Sequence, residues 1–177
     1  MKALKVLSLV VLLMVAAALI ACSAPAATPT PATYTDPFAY CAAVGTIDQP
    51  GANYTGAKVP ESVAQALLTA LGGPSTPLDA LQNGSFWRCM NGKVYGCFVG
   101  ANLPCEEKAD TNRTPTQAET EFCSQNRDSD FIPAVVTGRA TVFEWRCTNG
   151  VPEVVKQFVQ PDAQGFLSNV WYQLSKP

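Results

Sequence analysis

The 177-residue chain contains no histidine. A Ser-His-Asp or Cys-His catalytic pair, and any histidine-bearing metal site, is thereby excluded. Charge is scarce as well: twelve basic and fourteen acidic residues make up 15 % of the chain. No cluster of Lys or Arg supplies the basic patch that nucleic acid requires, so nucleic acid is not expected as a partner. Cys-x-x-Cys pairs are missing too, which removes the common zinc arrangements, and neither a metal nor a cofactor is expected. The one long apolar run, Val6 to Ile20, is broken only by Ser8 and falls short of the roughly 20 residues that cross about 30 Å of hydrocarbon.

Two carboxylates can perform acid–base chemistry without histidine, and neighbouring pairs occur at Glu106–Glu107 and Asp128–Asp130. Adjacent or alternate carboxylates belong to solvated turns. The Asp128-Ser129-Asp130 stretch also lacks the glycine and downstream glutamate of a calcium loop. No residue is assigned a catalytic role, and the chain is not expected to be an enzyme.

What is present begins at the N-terminus. Lys2 and Lys5 precede the apolar run, and Leu19-Ile20-Ala21-Cys22 closes it with small residues and a cysteine. This segment resembles the lipobox of bacterial lipoproteins, where signal peptidase II cuts before the cysteine, whose sulfur carries diacylglyceryl and whose freed amine is acylated. The resemblance implies a signal peptide over residues 1–21, lipidation at Cys22, and a cell-envelope location on the extracytoplasmic side of a bacterial membrane. The membrane is thus a partner through the lipid anchor, which several acyl chains hold stably where one holds marginally. Residues 22–35 form an Ala/Thr/Pro-rich tether with Pro25, Pro29 and Pro31 and no charge. In polyproline geometry it reaches at most roughly 40 Å from the lipid.

Seven cysteines become six once Cys22 carries lipid: Cys41, Cys89, Cys97, Cys105, Cys123 and Cys147. An even set in an exported protein predicts three disulfides, with fifteen possible connectivities. An internal repeat narrows them. Trp87-Arg88-Cys89-Met90-Asn91-Gly92 is echoed by Trp145-Arg146-Cys147-Thr148-Asn149-Gly150, and each block follows an upstream aromatic-cysteine pair, Tyr40-Cys41 or Phe122-Cys123. Val59-Pro60 and Ile132-Pro133 lie between in corresponding order. Equivalent positions should carry equivalent bonds, which predicts Cys41–Cys89 and Cys123–Cys147 and leaves Cys97–Cys105.

Local signals agree with two modules, residues 36–110 and 111–177. Asp36 before Pro37 predicts a helix ending at Gly45, Thr116 and Glu119 stand at capping-box spacing ahead of Phe122, and the apolar stripe from Val63 to Leu71 predicts a third helix stopped by Gly72-Gly73-Pro74. The two Trp-Arg-Cys blocks alternate as strands, and Asn91-Gly92 and Asn149-Gly150 fit two-residue hairpin turns. One further strand is expected from Phe166 to Leu174. The fold class expected is α+β: two degenerate modules, each a helix plus an antiparallel β-hairpin, stapled by disulfides. On such strands Trp87 and Trp145 face inward with their cysteines, while Arg88 and Arg146 point outward and are the binding candidates.

Within the first module, Pro37, Tyr40, Cys41 and Gly45, then Gly96, Cys97, a seven-residue gap, Cys105, Glu106, Glu107 and Ala109, resemble a small cysteine-rich bacterial lipoprotein family of unknown function that carries a haemolysin label. Asn102-Leu103 stands where that family has Asp-Gly, Lys108 replaces its tryptophan, its last cysteine is absent, and residues 46–86 are an insertion. The label transfers no activity.

The function expected is therefore a lipid-anchored envelope protein that presents a rigid domain to an envelope protein or cell-wall partner. The alternative is an inhibitor of an envelope hydrolase or protease acting through the loop from Phe98 to Pro104. A carboxylate-based enzyme acting on glycans through Glu106 or Asp130 ranks third.

Overall fold

A computed structural model describes residues 32–73, 76–100 and 102–177. The expected signal peptide, Cys22 and residues 22–31 of the tether lie outside them. The described elements run α1 (Pro37–Val44), α2 (Glu61–Ala70), α3 (Leu78–Gly84), β1 (Ser85–Met90), β2 (Lys93–Phe98), α4 (Gln117–Gln125), α5 (Ala134–Thr137), β3 (Phe143–Thr148), β4 (Val151–Gln157) and β5 (Tyr172–Leu174). The fold is α+β, with mixed helices and antiparallel strands joined by three disulfides.

Helix ends follow the capping chemistry. An Asp36 carboxylate oxygen accepts the Phe38 N–H at 3.0 Å, Pro37 occupies the first turn, and Gly45 ends α1 at φ +80°. Thr116 and Glu119 form the expected capping box: the Thr116 hydroxyl accepts the Glu119 N–H, and the Glu119 carboxylate accepts the Thr116 N–H at 2.6 Å. α2 turns Val63, Ala64, Ala66 and Leu67 inward. The short helices α3 and α5 have no counterpart among the sequence expectations.

Each Trp-Arg-Cys block is the first strand of a hairpin. Met90 faces Lys93 and Thr148 faces Val151, so each turn holds two residues, and all four have positive φ: +53° and +74° at Asn91-Gly92, +53° and +85° at Asn149-Gly150. These are the left-handed positions of a type I′ turn, where Asn and Gly cost least. β5 pairs antiparallel with β2, giving a three-stranded sheet of order β1-β2-β5; β3 and β4 form a separate two-stranded sheet. Gly96 permits this arrangement, because a Cβ there would stand 3.0 Å from a Leu174 methyl and 3.5 Å from one of Leu67.

The disulfides are Cys41–Cys89, Cys97–Cys105 and Cys123–Cys147, as expected from equivalent positions. Around two of them the same bonds recur at the same offsets. Counting from the helix cysteine, the fourth residue's carbonyl (Gly45 or Arg127) accepts the turn glycine N–H at 2.8 Å in both modules. The fifth residue's side chain (Thr46 or Asp128) accepts the turn asparagine N–H at 3.0 Å in both. The sixth residue's carbonyl (Ile47 or Ser129) accepts the strand cysteine N–H, at 3.0 and 2.8 Å.

Two expectations are corrected. The strand expected from Phe166 to Leu174 shrinks to Tyr172–Leu174, because Asp162 accepts the N–H groups of Gln164 and Phe166 and turns the chain back. Phe166, Leu167, Val170 and Trp171 are buried outside any strand, with Leu167 bridging to Pro161 alone. Arg88, expected to point into solvent, has no exposed surface. Phe86 and Tyr95 pack against a core cluster that holds Trp145, Phe166 and Trp171, while Trp87 and Val94 belong to another with Tyr40 and Leu67, so the β1-β2 hairpin is covered on both faces. The alternation rule assumes one solvated face, and this sheet has none at its centre.

Candidate functional site

Arg88 anchors the site. Its guanidinium pairs with the Asp162 carboxylate, donates to the Gln164 side-chain oxygen at 2.7 Å, and lies 4.4 Å from the ring centroids of both Phe166 and Trp171. An arginine suits this place because its plane stacks on aromatic rings while its fork holds a carboxylate. Gln164 continues the chain of contacts, donating to Asp48 at 2.7 Å, and Lys108 reaches Asp48 at 2.5 Å and the Gln164 carbonyl at 2.6 Å. Partial burial opposes ionisation of Asp48, but Lys108 and Gln164 outweigh it and hold the carboxyl below its ordinary value.

Beside this cluster a groove of about 300 Å³ opens along the Ser85–Trp87 half of β1, walled by Gln49, Pro50, Tyr54 and Lys58 with Glu106 on its rim. Its wall is fixed by the aromatic core: Trp87 donates its indole N–H to the Lys58 carbonyl at 2.7 Å and meets Tyr54 edge-on at 4.8 Å and Tyr40 at 5.9 Å. The Lys58 ammonium stands 5.2 Å over the Phe86 ring. Burial, and then the Asp36 charge, raises the Tyr54 hydroxyl pKa, so this group is a neutral donor at physiological pH. A second recess of about 20 Å³ adjoins the groove through Gln49, Phe86, Trp87 and Glu106 and reaches Phe166 and Trp171. Two buried polar atoms at these walls, the Ser85 hydroxyl oxygen and the Trp171 indole nitrogen, have no hydrogen-bond partner. Aromatic surface with a few convergent polar groups is the ordinary composition of a binding site.

The structure does not gather the two binding candidates. Arg146 is exposed, as expected, and pairs with Glu153 at 3.2 Å; Thr148, then Arg146, holds the Glu153 carboxyl below its usual range. Trp87 and Trp145 are buried, as expected. The paired carboxylates are exposed and stand apart in role: Glu106 rims the groove, Asp128 accepts the Asn149 N–H at 3.0 Å, and Asp130 borders another groove of about 380 Å³ beside Trp145. The loop from Phe98 to Pro104 includes residue 101, outside the described residues; its Leu103 is exposed. Among the described residues no group of His, Cys, Asp or Glu is arranged to hold a metal ion, and no helix is long and apolar enough to cross a membrane.

Tyr54, Lys58, Gln49 and Trp171 escaped the sequence reading, since distant segments bring them together. One signal was available. The residue before each Trp is Phe86 in one block and Glu144 in the other, and an apolar residue at an outward strand position marks a covered face. Comparison with family models, characterised proteins and solved structures finds no match, so the two family resemblances rest on the residues that carry them.

Proposed function

We propose that this chain is a lipid-anchored protein of the bacterial cell envelope that binds, without catalysis, a protein or cell-wall component in the groove beside β1. The observation that carries the reading is the groove itself: aromatic surface from Phe86 and Tyr54, a cation at Lys58, a carboxylate at Glu106 and a buried hydroxyl at Ser85, all on disulfide-braced segments. A groove of this composition recognises a ligand that offers an apolar face and several hydrogen-bonding groups. Of the carboxylates that could run glycan hydrolysis, Glu106 lines the groove, while Asp128 and Asp130 lie in the loop after α4 and border neither this groove nor the recess beside it. The recurrence of the same three bonds around Cys41–Cys89 and Cys123–Cys147 supports the reading of the modules as copies of one unit. In the first copy the groove is walled by residues of the 46–86 insertion.

A photo-crosslinking residue in place of Lys58, in the full-length chain in intact cells, should capture one envelope component reproducibly. Phe86→Ala and Glu106→Gln should each lower that capture about tenfold, the range of a binding hot spot. Cys22→Ala should release the chain from sedimented membranes and abolish incorporation of labelled palmitate. Absence of any adduct above the Cys22→Ala control would defeat the binding role, whereas sedimentation of Cys22→Ala with membranes would defeat the anchor.

A further inference from the structure

The two hairpins differ at one edge. In β1-β2, Cys89 turns its backbone away from β2 to exchange hydrogen bonds with Ile47 at 3.0 Å, and its partner Val94 turns outward. That outer edge is filled: Leu174 and Tyr172 of β5 face Val94 and Gly96. In β3-β4 the same logic holds on one side. Cys147 donates to the Ser129 carbonyl and the Trp145 carbonyl accepts from Ile132, both at 2.8 Å, so by antiparallel alternation their partners Pro152 and Val154 turn their backbone groups outward. Among the described residues no strand and no backbone hydrogen bond meets them there.

An open edge is a template for another strand, and the charges on β4 select which one. On the solvent face of the sheet, Arg146 pairs with Glu153 and Glu144 pairs with Lys156 at 3.3 Å. The bulge at Glu144/Trp145 leaves Val155 as the extra residue and keeps Glu153 and Lys156 on that one face. Antiparallel pairing of β4 with itself about a two-fold axis near Val154–Val155 brings Glu153 opposite Lys156 of the second copy. Each row across the four strands then alternates in sign: Arg146, Glu153, Lys156 of the second copy, Glu144 of the second copy. Val151 and Val155, 58 % and 47 % exposed, lie on the same strand.

We infer that the outer edge of β4 pairs with the same edge of a second copy of this chain, forming a four-stranded sheet across a two-fold dimer. The arrangement closes, because a two-fold contact uses the β4 edge of both copies. Pro152, with no N–H, and the bulge keep the paired stretch short.

The test uses the full-length chain in cells, with a photo-crosslinking residue in place of Val155 and two differently tagged copies. The expected product is an adduct of the two tags, with the linked peptide inside residues 151–157 of the second copy. Glu153→Lys and Lys156→Glu should each lower self-adduct about tenfold, because each sets like charges opposite one another twice. Co-expressed, the two variants should restore the mixed adduct to within about twofold of the parent, since a strand with lysine at both positions then faces one with glutamate at both. Non-reducing peptide maps showing all three disulfides establish that both variants fold. An adduct only with other proteins, no adduct in the parent, or reversals that leave self-adduct unchanged overturns the inference.

Discussion

The two hairpins share a turn type, a disulfide to a helix and three bonds to the segment that follows that helix, yet their arginines meet opposite fates. Arg88 is wholly buried, whereas the Arg146 side chain is 52 % exposed. The difference lies in what the rest of the chain does to the outer face. Residues 162–171 fold back over β1-β2 and stack Phe166 and Trp171 on the Arg88 guanidinium, and nothing described covers β3-β4 in the same way. A repeated local block therefore fixes the strand and its turn, while the environment of its outward residue is decided by a segment far along the chain.

The sharpest way to break the contrast is to truncate each arginine. Arg88→Ala strands the Asp162 carboxylate and empties the space between two rings, and should destabilise by about 3 to 5 kcal/mol in urea unfolding. Arg146→Ala removes only a solvated ion pair and should leave the urea midpoint almost unmoved. Equal losses at the two positions would show that the C-terminal segment does not distinguish the hairpins.

Removing each staple sharpens the comparison next. Cys41–Cys89 closes 48 residues and Cys123–Cys147 closes 24. By loop-closure entropy their paired replacement with alanine should cost about 4 and about 3.5 kcal/mol, with the eight-residue Cys97–Cys105 loop near about 2.5. Denaturation of the three double variants checks the order. A reversed order would mean that strain or residual structure in the unfolded chain dominates.

Acid supplies the smallest effect. The Lys176 ammonium holds Asp36 below the ordinary carboxylate range, and at Asp48 partial burial is overcome by Lys108 and Gln164 to the same end. A lowered folded-state pKa adds stability that is complete above the unfolded value, near about 4, and is lost as pH falls through the folded value. Urea midpoints should therefore decline below about pH 4, and Asp36→Asn with Asp48→Asn should flatten that decline.

What the sequence revealed divides along the same line. The caps at Asp36 and Thr116, the type I′ turns at Asn91 and Asn149, and the disulfide pairing were legible because each depends on residues within one helix–hairpin unit. The burial of Arg88, the shortening of the last strand and the groove wall at Tyr54 and Lys58 were not, because each needs two distant segments in contact. Phe86 against Glu144 was the one local trace of that long-range contact.

The pairing of β5 with β2 has a consequence for the order in which the chain acquires its structure. The sheet of the first module is completed by Tyr172–Leu174, and Lys176 reaches back to the N-cap carboxylate of Asp36 at 2.7 Å. The second hairpin needs nothing beyond Gln157 to form its ladder, so it can mature before the tail is made, whereas the three-stranded sheet, whose hairpin is synthesised first, must wait for the final residues.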